Sequence, residues 1–147
     1  MFSAADEKRV LDMVPRGIYI NGEWKDAADK KTLDVIDPAT GKTLVSIADA
    51  APADGLAAID AAAAAQESWA KTAPRVRAEI LRAAFEKVTA MADDFALLMS
   101  LEMGKPVSEA KGEVAYGAEF LRWFSEEAVR VTGRYGTAPD GKTESWF

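Results

Sequence analysis

The apolar positions of this chain alternate over residues 18–47 and recur three and four apart from Ala53 onward, so short strands precede long helices. Ahead of both, Val10, Leu11 and Met13 sit among charged residues in Ala4–Met13, which predicts a short helix ended by Pro15 and Gly17. Ile18-Tyr19-Ile20 and Glu23-Trp24-Lys25 flank Asn21-Gly22. That dipeptide tolerates the positive φ of a type I′ turn, so the segment predicts a β-hairpin with a two-residue loop. Leu33, Val35 and Ile36 predict a further strand, Asp37-Pro38-Ala39-Thr40-Gly41 a turn, and Leu44–Ile47 the strand that returns.

Leu56, Ile59, Ala63 and Gln66, with Trp69 near the end, predict a first long helix that stops before Pro74. The alanine run Ala61–Ala65 lies inside it. Leu81, Phe85, Val88, Ala92, Phe95 and Met99 predict a second long helix, and Gly104 supplies its C-terminal stop. Pro106 suits the first turn of a third. There Val107, Ala110, Val114, Gly117, Leu121, Phe124, Ala128 and Val131 form one stripe. Tyr116, Phe120 and Trp123 form a second row, about 100° away around the axis. Two readings of that row follow: both rows lie in the core, or the aromatic row walls a pocket. After Gly133 the chain turns polar and glycine-rich, and Thr143–Phe147 predicts a strand with no partner within the chain.

Composition narrows the function. With 147 residues and 49% of them hydrophobic, the chain can bury roughly 70% of its unfolded surface, although alanine supplies much of the apolar fraction and keeps buried side chains small. The net charge is −6, with signs mixed throughout and no Lys/Arg cluster interleaved with aromatics. Nucleic acid and anionic membranes are therefore not expected partners. The absence of cysteine excludes disulfides, thiolate metal sites and a cysteine nucleophile within these residues, and it suits a reducing, cytoplasmic setting. The absence of histidine removes the usual general base. No apolar run approaches the ~20 residues of a membrane helix, and Met1–Pro15 lacks the apolar core of a secretory signal.

Reactive motifs are missing. Thr40-Gly41-Lys42-Thr43 matches the tail of a phosphate-binding loop, but Ile36 stands where the first glycine belongs and Pro38 interrupts the loop, so a tight turn between strands is the better reading. Neither G-x-G-x-x-G nor G-x-S-x-G occurs. Glu109, Glu113, Glu119, Glu126 and Glu127 are read as a solvated helix face or as partners of Lys111 and Arg122, not as an acid–base pair. No catalytic residue is assigned.

Several segments in order carry a family resemblance. They are Tyr19-Ile20-Asn21-Gly22-Glu23-Trp24, Asp37-Pro38-Ala39-Thr40-Gly41, Ile59-Asp60-Ala61 with Trp69, Arg77-Ala78-Glu79-Ile80-Leu81-Arg82, and Leu101-Glu102-Met103-Gly104-Lys105-Pro106. Together they resemble the N-terminal portion of the NAD(P)-dependent aldehyde dehydrogenases. Glu109–Val114 and the following Tyr116–Glu127 are most similar to the succinate-semialdehyde dehydrogenase branch.

The resemblance implies an α/β family fold, of which this chain is an incomplete α+β piece: an N-terminal hairpin and strands followed by three long helices. Residues 1–133 would begin the cofactor-binding domain. Residues 134–147 would start the arm through which subunits pair, cut before its hairpin returns. It implies oxidation of an aldehyde, succinate semialdehyde, through a thiohemiacetal with hydride transfer to NAD or NADP. The cysteine, the general-base glutamate and the dinucleotide motifs of that chemistry would lie after Phe147, so the chain alone is expected to be inactive and to bind no cofactor. Its partners would be the rest of the chain and, at full length, further copies in a homo-oligomer. Tyr116 and Phe120 would line the substrate channel. Glu102, with the backbone of Val35 and Ile36, would hold a structural monovalent cation; an ordinary salt bridge or helix-end contact for Glu102 is the competing reading. The rival function is an autonomous helical interaction or assembly module derived from the family.

Overall fold

The computed structural model describes residues 2–133, 135–138, 141 and 144–146. Helix α1 spans Ala4–Met13. Strands β1 (Ile18–Ile20) and β2 (Glu23–Lys25) form one antiparallel hairpin, and β3 (Thr32–Ile36) and β4 (Thr43–Ala48) form another. Helices α2 (Pro52–Ala70), α3 (Pro74–Ala90), α4 (Ala92–Met103) and α5 (Val107–Glu127) follow, then a third hairpin of β5 (Tyr135–Thr137) and β6 (Glu144–Trp146).

Local chemistry sets most of these boundaries. Asn21 and Gly22 both take positive φ, 53° and 84°, as a type I′ turn demands. Ser3 and Asp6 cap α1 reciprocally: the Asp6 N–H donates to Ser3 Oγ at 3.3 Å and the Ser3 N–H to the Asp6 carboxylate at 2.8 Å. Gly104 closes α4 in the left-handed region, φ 71°, where a Cβ would meet Pro38 Cγ at 3.1 Å. One glycine thus ends a helix and admits the 37–41 turn against it.

The expected second long helix is two helices. Met91 sits outside helical geometry at φ −103°, ψ 17°, and its N–H reaches the carbonyls of both Lys87 and Val88 at 3.1 and 3.2 Å. No proline or glycine marks this break, and the apolar spacing continues in phase across it, so periodicity alone reads straight through. The third helix is shorter than its stripe suggested: α5 ends at Glu127, and Val131 is 82% exposed. The C-terminal strand also has a partner. β6 pairs antiparallel with β5, Tyr135 opposite Trp146 and Thr137 opposite Glu144, so a hairpin does return within the chain. Arg134, Thr143 and Phe147, which bound the expected arm and strand, lie outside the described residues.

The core sits where α3, α4 and α5 meet. Ala96 and Ala110 are fully buried and pack with Val114, while Val88, Ala92, Met99 and Val107 close around them. Among the described residues no large side chain is fully buried; alanine-to-alanine contact lets the α4 and α5 backbones approach closely instead. Many large apolar side chains face outward, with Leu56, Ile59, Tyr116 and Trp123 each more than 60% exposed. So broad an apolar surface is what a covering partner or further chain would occupy.

Helix α1 is tied to this core by buried Val10 and by Arg9, whose guanidinium donates to both carboxylate oxygens of Asp94 at 3.0 and 2.6 Å. That bidentate hydrogen bond, reinforced by the guanidinium charge, holds the Asp94 carboxyl below the ordinary aspartate value of 3.8. A depressed folded-state pKa contributes stability that is complete above the unfolded value and is lost as pH falls through the folded one. The stability difference between the natural chain and Arg9→Met is therefore expected to be largest near neutrality and to shrink below about pH 4, read by urea denaturation across pH. A difference that does not change with pH would mean the pair contributes nothing through Asp94.

Candidate functional site

Helix α5 presents two chemically distinct sides. Ala110, Val114, Ala118 and Ser125 are buried against α3 and α4. On the other side Tyr116, Glu119, Phe120, Trp123 and Phe124, at i, i+3, i+4, i+7 and i+8, line an open groove of about 350 Å³. Tyr116 and Phe120 meet edge to face with ring centroids 5.1 Å apart, an arrangement that orients each ring. Since every lining residue lies on α5, this is one wall and not a closed site. The sequence placed Tyr116, Phe120 and Trp123 in this row. It put Phe124 in the core stripe, whereas Phe124 is half-exposed and extends the wall, and it passed over Glu119 as part of a solvated face.

Ion pairs fix the placement of α5. Lys105, in the turn before the helix, donates to Glu113. Lys111 reaches back to Asp93 of α4 at 2.7 Å, not to an acid of its own helix. Arg122 donates to Glu119 through Nε and Nη2, at 2.9 and 2.6 Å. Its guanidinium also lies 5.9 Å from the centre of the Phe85 ring on α3, and Arg82 lies 5.7 Å from the same ring. Phe85 therefore joins α3 to α5 through the Arg122 contact, while the Arg82 contact lies within α3.

Two of the three residues expected to hold a cation share a cavity lined mainly by aliphatic side chains. Glu102, exposed near the end of α4, and Val35 line one small cavity of about 130 Å³ with Leu98 and residues of α1 and β4, while Ile36 is not part of its lining. The β3–β4 register shifts between Val35 and Ile36, and such a shift interrupts the ladder of backbone hydrogen bonds. Among the described residues no three Asp or Glu side chains gather as a metal-binding group. One carboxylate with backbone carbonyls is a donor set of low charge, suited to a monovalent ion and short of the six to eight oxygens of Ca²⁺.

The Thr40–Lys42 segment turns the chain between β3 and β4, and Thr43 opens β4. The Asp37 carboxylate accepts from the Ala39 N–H and the Thr40 hydroxyl at 2.8 and 2.7 Å, and the Gly41 N–H donates to the Asp37 carbonyl at 2.8 Å. The Ala39 and Gly41 N–H groups and the Thr40 hydroxyl are thus already engaged within the turn. A dinucleotide does not fit the described residues either: the strands pair only as antiparallel hairpins, and β4 enters α2 through Asp49-Ala50-Ala51, with no glycine-rich turn at the helix N-terminus.

Sequence reading gave no role to Asp54. It is buried near the start of α2, where its carboxylate accepts the Ala28 N–H through both oxygens at 3.1 Å and the Ala51 N–H at 2.8 Å. The link to Ala28 lies 26 residues away, so no local pattern could have announced it.

The class of the fold comes from its likeness to known proteins. The sequence pattern of the aldehyde dehydrogenase family matches residues 24–146. The chain is 68% identical over 101 residues to a succinate-semialdehyde dehydrogenase of Paenarthrobacter nicotinovorans, covering 69% of this chain and 22% of that protein. It is 46% identical over 114 residues to the NADP(+) succinate-semialdehyde dehydrogenase of Escherichia coli, covering 78% and 24%. The crystal structure of succinate-semialdehyde dehydrogenase from Burkholderia pseudomallei superposes with a TM-score of 0.85 at 42% identity, over 90% of this chain and 28% of that one. This chain belongs to the aldehyde dehydrogenase family of oxidoreductases. It spans about a quarter of the length of the relatives it matches.

Proposed function

We propose that these residues form the N-terminal part of an NAD(P)-dependent aldehyde dehydrogenase that oxidises succinate semialdehyde to the dicarboxylic acid. Residues 1–133 are its share of the cofactor-binding domain and 134–147 the first part of the arm through which copies pair in a cytoplasmic homo-oligomer. The observation that carries the reading is the aromatic side of α5. It is long, apolar and uncovered, and it offers a wall without chemistry, which is the contribution expected from one segment of a substrate channel. Tyr116 and Phe120 are the residues assigned to that wall. Glu102 with the Val35 and Ile36 carbonyls is assigned to a structural monovalent cation, supported by the cavity that Glu102 and Val35 share.

The division of labour follows from composition. Oxidation through a thioester needs a thiolate to attack the aldehyde carbon, and these 147 residues contain no cysteine. The 147-residue chain alone is therefore expected to form no NADH or NADPH from succinate semialdehyde and to bind a hydrophobic dye through its exposed apolar side chains. The longer chain is expected to turn the aldehyde over and to bind little dye. Turnover by the purified 147 residues would overturn the assignment. A dye-free, monodisperse and inactive monomer would favour the autonomous module instead.

A further inference from the structure

We infer that Arg122 sets the charge preference of the aldehyde site, pairing Glu119 so that the aromatic wall of α5 receives an aldehyde with an anionic far end and not a cationic one. The inference rests on the reading of that wall as the substrate channel and adds to it a residue that determines specificity.

Four aromatic side chains, Tyr116, Phe120, Trp123 and Phe124, line one groove, and aromatic rings attract a desolvated cation. Glu119 lies among them. Left to itself this set is the chemistry of a quaternary-ammonium site: aromatic rings with one carboxylate. A dicarboxylic semialdehyde would be repelled by it. Arg122 changes the balance from outside the groove. It is not part of the lining, yet it holds the Glu119 carboxylate through Nε and Nη2 at 2.9 and 2.6 Å. Phe85, under its guanidinium at 5.9 Å, keeps that group on the α3 side of the helix. The guanidinium thereby offsets the carboxylate charge from outside a groove that is otherwise lined by aromatic rings.

The test compares kcat/KM of the longer chain for three aldehydes of similar length: succinate semialdehyde, butanal, and the cationic trimethylammoniobutanal. Arg122→Gln is expected to lower the ratio of succinate semialdehyde to butanal about fivefold at low ionic strength and to raise the ratio of the cationic aldehyde to butanal by a similar factor. Both shifts should shrink with added salt. Glu119→Gln, which leaves the arginine charge unopposed, should move both ratios the opposite way, and the double variant should return them to their starting values. Ratios cancel any general loss of folded enzyme, so a destabilised variant still reports. Unchanged ratios, or both moving in one direction, would overturn the role of Arg122. A natural enzyme with no preference for succinate semialdehyde over butanal would instead sink the substrate reading, whatever the variants do.

Discussion

Replacing Ala110 by leucine is expected to destabilise the chain by about 3 kcal/mol. Ala110 has no exposed surface and lies against Ala96 and Val114, in the buried cluster between α4 and α5. Leucine adds three carbon atoms to a site already filled on every side, so the helices must part or the side chain must leave its preferred rotamer. Helix propensity does not confuse the result, because alanine and leucine both favour the helix strongly. Ala115→Leu, at an exposed position of the same helix, is the matched control and should be nearly neutral. Urea denaturation followed by the helical circular dichroism signal measures both. An Ala110→Leu midpoint equal to that of the control would mean that α4 and α5 are not closely packed.

Asp54→Ala should cost about as much, about 3 kcal/mol, by a different route. The substitution leaves the backbone N–H groups of Ala28 and Ala51 without the carboxylate that now receives them. Hydrogen bonds to a charged acceptor are worth more than neutral ones, and losing the acceptor leaves partly buried donors unpaired. Asp54→Asn keeps one acceptor oxygen and should lose about half as much. The residue joins the start of α2 to the loop after β2, so amide exchange at Ala28 should accelerate more than exchange in the α4–α5 core. Uniform acceleration across both regions would show that Asp54 supports global stability without fastening this joint.

The stripe on α5 shows where sequence reading reaches its limit. Steps of three and four in strict alternation, Val107 to Val131, describe a repeat of seven residues, and a straight helix drifts about 20° for each such repeat. Over the length of α5 the predicted line turns away from the neighbours it was meant to face. The buried line instead runs through Ala110, Val114, Ala118 and Ser125, in steps dominated by four. Gly117 and Phe124 consequently face out, and Phe124 joins the wall. The aromatic row itself was legible because its rings repeat on one side whichever way the helix is rolled.

What the sequence determined alone is local or inherited. Asn21-Gly22 dictated the first hairpin through positive φ, Gly104 marked a helix end through its left-handed backbone, and ordered motifs from Tyr19 to Pro106 carried the family. Tertiary structure decided the rest: the break at Met91, the pairing of β6 with β5, the link from Asp54 to Ala28, and the side of α5 that faces α4. Each of these depends on partners distant in the chain or on how closely two backbones can approach. A one-dimensional pattern records which residues are apolar, but not which of two apolar sides finds a neighbour small enough to pack against.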